Sequence, residues 1–235
     1  MERLDKIIAI ALQISRKDAI ALIKKGRIAV NKETIKDPKA KLDESGAVLF
    51  CDNEQIYYNK YVYIMMNKPT GVISASNGKG EKTVIDVLPP DMKRKKLFPA
   101  GRLDKDTTGF MLITDDGELA HSILSPKNHI PKTYIAKLDK PFNDEIIKEF
   151  EKGIELKDAK CMGASLEAVD GDYRVGKVII KQGMYHQIKR MFSHFSINVV
   201  ELKRIKMGSL DLDENLKMGE CRYLTKEEIS ALCDK

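Results

Sequence analysis

Residues 98–110 read Phe98-Pro-Ala-Gly-Arg-Leu-Asp-Lys-Asp-Thr-Thr-Gly-Phe110, and the rest of the chain is best understood outward from this stretch. A glycine near each end lets the backbone turn tightly or approach a ligand closely. The apolar run Phe110–Ile113 that follows predicts a buried strand. The pattern therefore predicts a rigid loop beside a sheet, in which Asp104 is held next to Arg102.

This pair of charged residues is open to three interpretations. A fixed carboxylate beside an arginine suits nucleophilic catalysis, and it equally suits a structural ion pair in a turn. The spacing Asp104-x-Asp106 could also belong to a divalent metal site, although it offers only two ligands. The stretch alone does not choose among them.

Length and composition indicate a globular protein of the cytoplasm. A chain of 235 residues with 43% hydrophobic residues can form one large domain, or a medium one with a small attachment. Its four cysteines show no CxxC spacing, which argues against a disulfide framework or a zinc site. The N-terminus is charged from Glu2 onward, and no apolar run is long enough to span a bilayer. We therefore expect neither a secretory signal nor a membrane partner.

The distribution of charge is more informative than its total. The net charge is +6, and residues 1–41 hold 11 Lys/Arg against 5 Asp/Glu, so they carry the whole excess. Concentration of positive charge in the N-terminal sixth predicts a small domain that faces a polyanion. The alternative is a lysine surface that serves only solubility.

The first 50 residues have the pattern of a small RNA-binding module. Apolar residues at helical spacing predict a first helix, and Ser15-Arg-Lys-Asp18 predicts the cap of a second, which Gly26 ends. A strand over residues 27–30, a turn at Asn31-Lys32 and a strand over 47–50 follow. This segment resembles the module first seen in ribosomal protein S-four. The resemblance implies RNA contacts by the basic residues around the helices: Arg3, Arg16, Lys17, Lys24, Lys25 and Arg27.

The remainder predicts a larger α+β domain. We assign residues 1–51 to the small module, the polar residues 52–60 to a linker, and residues 61–235 to the larger domain. In that domain the predicted strands outnumber the helices and several are joined by short turns, which favours a mixed, mostly antiparallel sheet flanked by helices. The predicted strands are 62–66, 110–113, 132–138 and 175–181, and the predicted helices are 83–88, 115–124, 143–153, 185–195 and a short one after Thr225.

The predicted helix Tyr185–Phe195 combines an apolar stripe with two basic residues. At 100° per residue, Arg190 points nearly opposite the stripe, toward solvent. Lys189 lies on the flank, where its stem can pack while its ammonium reaches an enclosed site. A solvated face is the alternative for both residues. His186 is expected to be structural or to face RNA. The stripe consists of Ile188, Met191, Phe192 and Phe195.

Three motifs occur in a fixed order: Gly101–Gly109, Lys132-Thr-Tyr134 and Gly183-Met-Tyr-His-Gln-Ile-Lys-Arg-Met-Phe192. With the N-terminal module, they resemble the RsuA family of pseudouridine synthases over nearly the whole chain. These enzymes flip a uridine out of ribosomal RNA, detach its base at N1, rotate it and rejoin it through carbon 5.

The resemblance assigns roles to individual residues. Asp104 matches the essential aspartate, which would attack ribose carbon 1′, attack the ring or help to abstract a sugar proton. Lys189 matches the cation that holds it charged. Tyr134 matches the tyrosine that stacks on the flipped base, and Arg102 the arginine that enters the RNA stack in its place. Arg190 and His186 are assigned to RNA binding.

The reaction loses no group and changes no oxidation state, so the resemblance implies no cofactor and no metal. The implied partner is ribosomal RNA in a partly assembled small subunit, bound by a monomer. Three alternatives remain: a large-subunit ribosomal RNA synthase, a non-catalytic RNA-binding assembly factor, and a metal-dependent enzyme that uses Asp104 and Asp106.

Overall fold

Two helices form the centre of the N-terminal part of the chain. In the computed structural model, which describes residues 1–43, 47–156 and 158–234, these are α1 (Leu4–Ala11) and α2 (Arg16–Lys24). The side chain of Ser15 caps α2 by accepting a hydrogen bond from the backbone N–H of Asp18 at 3.1 Å. Gly26 follows α2 with a positive φ of 71°, a conformation that suits glycine. Both ends of the helix therefore lie where the sequence predicts them.

Short strands complete this first unit. Asn31 and Lys32 both have positive φ, as expected for the tight turn of a hairpin. The strands form two antiparallel sheets, of orders β1-β4 and β3-β2-β5-β6. They are β1 (Glu2–Arg3), β2 (Ile28–Val30), β3 (Glu33–Thr34), β4 (Lys41–Leu42), β5 (Leu49–Cys51) and β6 (Glu54–Ile56).

The predicted linker is wrong over part of its length. Residues 52–60 contain β6, which pairs with β5 through Leu49↔Ile56 and Cys51↔Glu54. The chain divides into two units after Val62, so this hairpin belongs to the first unit. Its sequence is polar because an edge strand of a small sheet remains exposed, and polarity alone was interpreted as a linker.

The second unit is built on one large sheet. Its order is β11-β12-β10-β13-β9-β7-β15, with β14 on β13 and β8 on β9. Strands β9 and β13 pair in parallel, and the other described pairs are antiparallel, which confirms the predicted mixed sheet. The strands are β7 (Tyr63–Lys68), β8 (Phe98–Pro99), β9 (Thr108–Thr114), β10 (Lys132–Leu138), β11 (Ser165–Val169), β12 (Asp172–Ile180), β13 (Val199–Met207), β14 (Leu210–Asp211) and β15 (Cys221–Tyr223).

Among the described residues, five α-helices flank this sheet, and side chains cap four of them. Thr83, Asp116, Asn143 and Thr225 each accept hydrogen bonds from backbone N–H groups in the first turn of the helix that follows. No helix in the described ranges is long and apolar enough to cross a bilayer. The helices are α3 (Val84–Val87), α4 (Gly117–Leu124), α5 (Asp144–Lys152), α6 (Gln187–Ser193) and α7 (Lys226–Ala231).

Helix α6 is shorter than predicted. The expected helix Tyr185–Phe195 begins only at Gln187, because His186 adopts the left-handed conformation with φ 48° and ψ 34°. Three of the four residues of the predicted stripe, Ile188, Met191 and Phe192, are buried within it, whereas Phe195 lies beyond its end and is half-buried. The ring of Phe192 packs 4.9 Å from that of Phe150 on α5, which fixes α6 against its neighbour. Helix α6 is therefore a short, firmly packed element.

Candidate active site

The loop between β8 and β9 depends on a glycine at its end. Gly109 has φ +97° and lies opposite Arg204 in the parallel pair of β9 and β13. A Cβ at this position would lie 2.2 Å from the carbonyl oxygen of Arg204, which is backbone and cannot move aside. Only glycine permits both this dihedral angle and this close approach. The loop is thus attached directly to the central strand.

A buried lysine at the end of β7 holds the same loop from within. Lys68 is fully buried, and its Nζ donates to four carbonyl oxygens: those of Pro69 at 3.1 Å, Asp104 at 3.1 Å, Lys105 at 3.3 Å and Thr107 at 2.9 Å. Burial lowers the pKa of Lys68 to about 8, although the charges of the two loop aspartates oppose this shift. This residue was not among those predicted from the sequence. The feature that could have identified it is a lysine at the end of a buried and mostly apolar strand.

Asp104 lies in this loop with its carboxylate directed at α6. The side chain is 26% exposed, and its Oδ2 lies 3.5 Å from Nζ of Lys189. Its Oδ1 lies 3.3 Å from Nε2 of His186. The structure therefore brings together Asp104 and Lys189, which the sequence places 85 positions apart. It also brings His186 to the carboxylate, which the sequence did not indicate.

Lys189 contacts a second carboxylate even more closely. Its Nζ lies 2.6 Å from Oδ1 and 2.8 Å from Oδ2 of Asp106. This hydrogen bond lowers the pKa of Asp106, and the opposing effect of desolvation is smaller. Lys189 thus bridges two aspartates. Within residues 1–43, 47–156 and 158–234, no group of three or more His, Cys, Asp or Glu side chains could hold a metal ion.

Tyr134 lies in the row of the sheet that ends at this loop. It is 7% exposed on β10, and it pairs with Arg204 on β13, which in turn pairs with Gly109 on β9. Two strand spacings separate the first and last members of this row, so their Cα atoms are roughly 10 Å apart. A buried aromatic ring therefore lies near the end of a loop that carries a partly exposed carboxylate.

Residues 62–194 match the family described as RNA pseudouridylate synthase, and residues 2–48 match the S4 domain. The chain belongs to the RNA pseudouridylate synthase family.

Relatives cover the whole length of the chain. An uncharacterised RNA pseudouridine synthase of Bacillus subtilis (strain 168) is 41% identical over 233 residues, which is 98% of each chain. Ribosomal small subunit pseudouridine synthase A of Salmonella typhimurium (strain LT2) is 40% identical and covers 98% of this chain and 99% of its own. A crystal structure of a pseudouridylate synthase superposes with a TM-score of 0.69 at 34% identity, covering 99% of this chain and 100% of that one. Both the S4 domain and the pseudouridine synthase domain are thereby established.

Two further cations are buried in the synthase domain. Lys132 donates to the carbonyl of Ile130 at 2.9 Å, and Arg204 donates through Nε to the carbonyl of Phe110 at 2.7 Å. Burial, followed by the charge of Arg204, lowers the pKa of Lys132 to about 8. Among the described residues, Nη2 of Arg204 has no hydrogen-bond partner. We refer to Lys68, Lys132 and Arg204 as the buried cation cluster.

Arg190 does not point into solvent as predicted. Its side chain is only 27% exposed and forms an ion pair with Asp158. Its Nη1 also lies 3.4 Å from the carbonyl oxygen of Tyr185. The prediction assumed an uninterrupted helix, whereas the left-handed residue at 186 folds the preceding chain back toward Arg190. By contrast, Arg102 is exposed and has no hydrogen bond or ion pair in the described ranges.

The predicted RNA-facing residues of the S4 domain fall into two groups. Arg3 and Arg16 both pair with the buried Asp5, at 2.8 and 2.9 Å. Burial would raise the pKa of Asp5, but the hydrogen bonds from these two arginines outweigh it and lower the pKa. Arg27 pairs with Asp52. The second group is exposed, and within the part of the chain that the structure describes its side chains make no hydrogen bond or ion pair: Lys17, Lys24 and Lys25.

Proposed function

We propose that this synthase converts a uridine of small-subunit ribosomal RNA into pseudouridine, with Asp104 as the essential carboxylate. The observation that carries the proposal is the position of Asp104: its backbone is held by Lys68, and its two oxygens face His186 and Lys189. A partly exposed carboxylate with fixed partners can act on a bound nucleotide without first reorganising.

The isomerisation needs no external reactant. The bond from ribose carbon 1′ to N1 of uracil breaks, and a bond from carbon 1′ to carbon 5 forms. The hydrogen of carbon 5 leaves as a proton, and N1 of the product carries one. Asp104 would attack carbon 1′, attack the ring or assist removal of a sugar proton, and each route requires the ionised carboxylate.

Lys189 and Asp106 would act together in keeping that carboxylate ready. A lysine acts as a point charge and can approach two carboxylates at once. Asp106 holds the ammonium group of Lys189 at 2.6 Å. Lys189 therefore stays 3.5 Å from Asp104 and does not form a tight ion pair that would neutralise the charge of that carboxylate. Tyr134 would stack on the flipped uracil, since its ring is buried in the adjacent row. Arg102, exposed and unpaired among the described residues, would enter the RNA stack.

The small subunit is proposed as the source of the RNA because full-length relatives carry that name, including the Salmonella protein at 40% identity. The S4 domain, with three exposed lysines, supports structured RNA as the ligand.

A tritium-release assay tests the activity and the substrate together. Small-subunit and large-subunit ribosomal RNA transcripts containing 5-tritiated uridine are incubated with wild type, Asp104→Asn and Asp106→Asn. We expect wild type to release tritium from the small-subunit transcript, and Asp104→Asn to be slower by roughly a thousandfold or more at nearly unchanged RNA affinity. Asp106→Asn, the same change at the neighbouring carboxylate, should lose less activity than Asp104→Asn, because Asp106 acts only through Lys189.

Each contrary result has a distinct meaning. Rapid release by Asp104→Asn would remove that residue from the chemistry. Release only from the large-subunit transcript would reassign the substrate. RNA binding without any release by wild type would favour a non-catalytic factor.

Lys189 is tested separately at saturating enzyme. We expect Lys189→Met to lose most single-turnover activity, because the carboxylate of Asp104 loses the cation that lies 3.5 Å from it. Lys189→Arg should retain part of the rate. Lys105 lies in the loop that carries Asp104, is exposed and pairs with Glu81 at 2.8 Å. Lys105→Met is therefore the control, and its single-turnover rate should be close to that of wild type. A rate near that of wild type for Lys189→Met would contradict the assignment.

A further inference from the structure

An exposed aromatic ring stands immediately before α6. The side chain of Tyr185 is 75% exposed, and in the described ranges its hydroxyl makes no hydrogen bond. Large aromatic side chains usually bury most of their surface, and an exposed one is common at binding sites. This exposure is unexpected, because the next residue, His186, contacts the partly enclosed carboxylate of Asp104.

One face of this ring is already covered. The rings of Tyr185 and His186 stack with centroids 3.9 Å apart and planes 16° from parallel. Successive residues of a helix would direct their side chains about 100° apart. The left-handed backbone of His186 brings the two rings side by side instead. Such a conformation is uncommon for a residue other than glycine and is often found at functional sites.

The inner ring connects this stack to the reacting group. Nε2 of His186 lies 3.3 Å from Oδ1 of Asp104. On the other side, Arg190 approaches the carbonyl oxygen of Tyr185 while it pairs with Asp158. Both members of the stack are therefore held in place, and the outer face of Tyr185 is the only large surface of the pair that remains free among the described contacts.

We propose that the outer face of Tyr185, whose side chain is 75% exposed, receives a nucleobase next to the target uridine. This inference rests on the proposed function, since it requires RNA at Asp104. Every nucleobase has a flat face, and stacking on an aromatic side chain is a sequence-tolerant way to hold single-stranded nucleotides. A base in this position would form the third layer of a stack that begins at His186. The flipped uracil and its neighbour would thus be held by two different tyrosines, Tyr134 and Tyr185.

Affinity measurements with matched variants test the proposal. Binding of an unmodified small-subunit ribosomal RNA transcript is measured for wild type, Tyr185→Phe, Tyr185→Ala and Tyr223→Ala. Tyr223 is 46% exposed on the edge strand β15 and controls for the loss of a surface tyrosine. We expect Tyr185→Ala to bind roughly tenfold more weakly, because a stacked base is lost. Tyr185→Phe keeps the ring, and it and Tyr223→Ala should remain within about twofold of wild type.

A fluorescent base reports the contact directly. Tritium release first locates the target uridine in a short fragment, and 2-aminopurine is then placed on either side of it. Stacking on Tyr185 should quench one of the two probes with wild type and Tyr185→Phe but not with Tyr185→Ala. Equal quenching and equal affinity for all variants, with active wild type, would overturn this proposal and leave the proposed function intact. Failure of wild type to bind RNA or release tritium would overturn both.

Discussion

Arg3 and Arg16 of the S4 domain lie partly exposed around one buried aspartate, whereas Lys68, Lys132 and Arg204 of the synthase domain are buried and donate to backbone carbonyls. The arginines have a counter-charge, so their field beyond the surface is reduced. The buried cation cluster has hydrogen-bond acceptors but, among its described hydrogen bonds, no carboxylate.

The difference shows how position changes the use of a positive charge. A carbonyl oxygen satisfies an N–H group without cancelling its charge, so the positive charge of Lys68 still acts on Asp104 and Asp106. This arrangement costs stability, because burial disfavours the charged form of both lysines. In the S4 domain, the exposed lysines keep their hydration, contribute little to stability and remain available to phosphates.

The largest effect is expected when Lys68 is removed from the buried cation cluster. Lys68→Met removes one donor from each of four carbonyl oxygens, of which those of Asp104 and Lys105 keep backbone N–H partners at Thr107 and Gly71. We expect the free energy of unfolding in urea to fall by about 2–4 kcal/mol and turnover to fall with it. Lys105→Met, in the same loop but exposed, should change stability by less than about 0.5 kcal/mol. Equal midpoints for the two variants would show that Lys68 does not support the loop.

The pH dependence of the free energy of unfolding tests the cost of burying Lys132. Its pKa is about 8 in the folded protein and ordinarily 10.5, so the unfolded chain binds more protons between these values. The free energy of unfolding should therefore rise as pH increases through this window, by at most about 1.4 kcal/mol per unit.

Lys132→Met removes this contribution, and the difference between wild type and variant isolates it from cysteines and tyrosines that titrate nearby. We expect the variant to gain most over wild type below pH 8 and least above pH 10. A difference that is constant over the range would contradict the lowered pKa. Urea unfolding at half-unit intervals provides the measurement.

The smallest effect concerns the exposed lysines of the S4 domain. Replacing Lys17, Lys24 and Lys25 together by glutamine should leave stability unchanged and reduce the slope of log affinity against log salt by about 2–3, since each phosphate contact contributes roughly 0.7–0.9. Arg27→Gln, at a residue already paired with Asp52, should change the slope by less than one. An equal slope for the triple variant and wild type would mean that this surface does not contact RNA.

Much of the fold follows from local patterns that the structure keeps. Several elements occur where the sequence predicts them: the cap at Ser15, the helices that begin at Asn143 and after Thr225, the turn at Asn31-Lys32 and the strand over residues 132–138. The helix starts depend on side chains that accept hydrogen bonds from backbone N–H groups of the first turn, and the turn depends on residues that adopt positive φ. Such signals need no knowledge of distant residues.

The central strand β13 could not be predicted in this way. Its sequence Val-Val-Glu-Leu-Lys-Arg-Ile-Lys-Met has a charged residue at several positions, and Arg204 is fully buried within it. A buried arginine breaks the apolar pattern that marks an interior strand. The contact between His186 and Asp104 was missed for a related reason, because it depends on a left-handed residue that interrupts an otherwise helical pattern.

The parallel pairing of β9 with β13 also determines when the active site can form. The contact from Arg204 to Phe110 joins residues 94 positions apart, and Gly109 cannot take its final place until β13 is present. Closing so long a loop is slow compared with folding of the S4 domain, whose strand pairs span shorter separations, such as Glu2↔Leu42. During synthesis, the S4 domain can therefore fold as soon as it emerges, while the loop that carries Asp104 stays unformed until the last quarter of the chain leaves the ribosome. The nascent protein would be able to hold RNA before it could modify it.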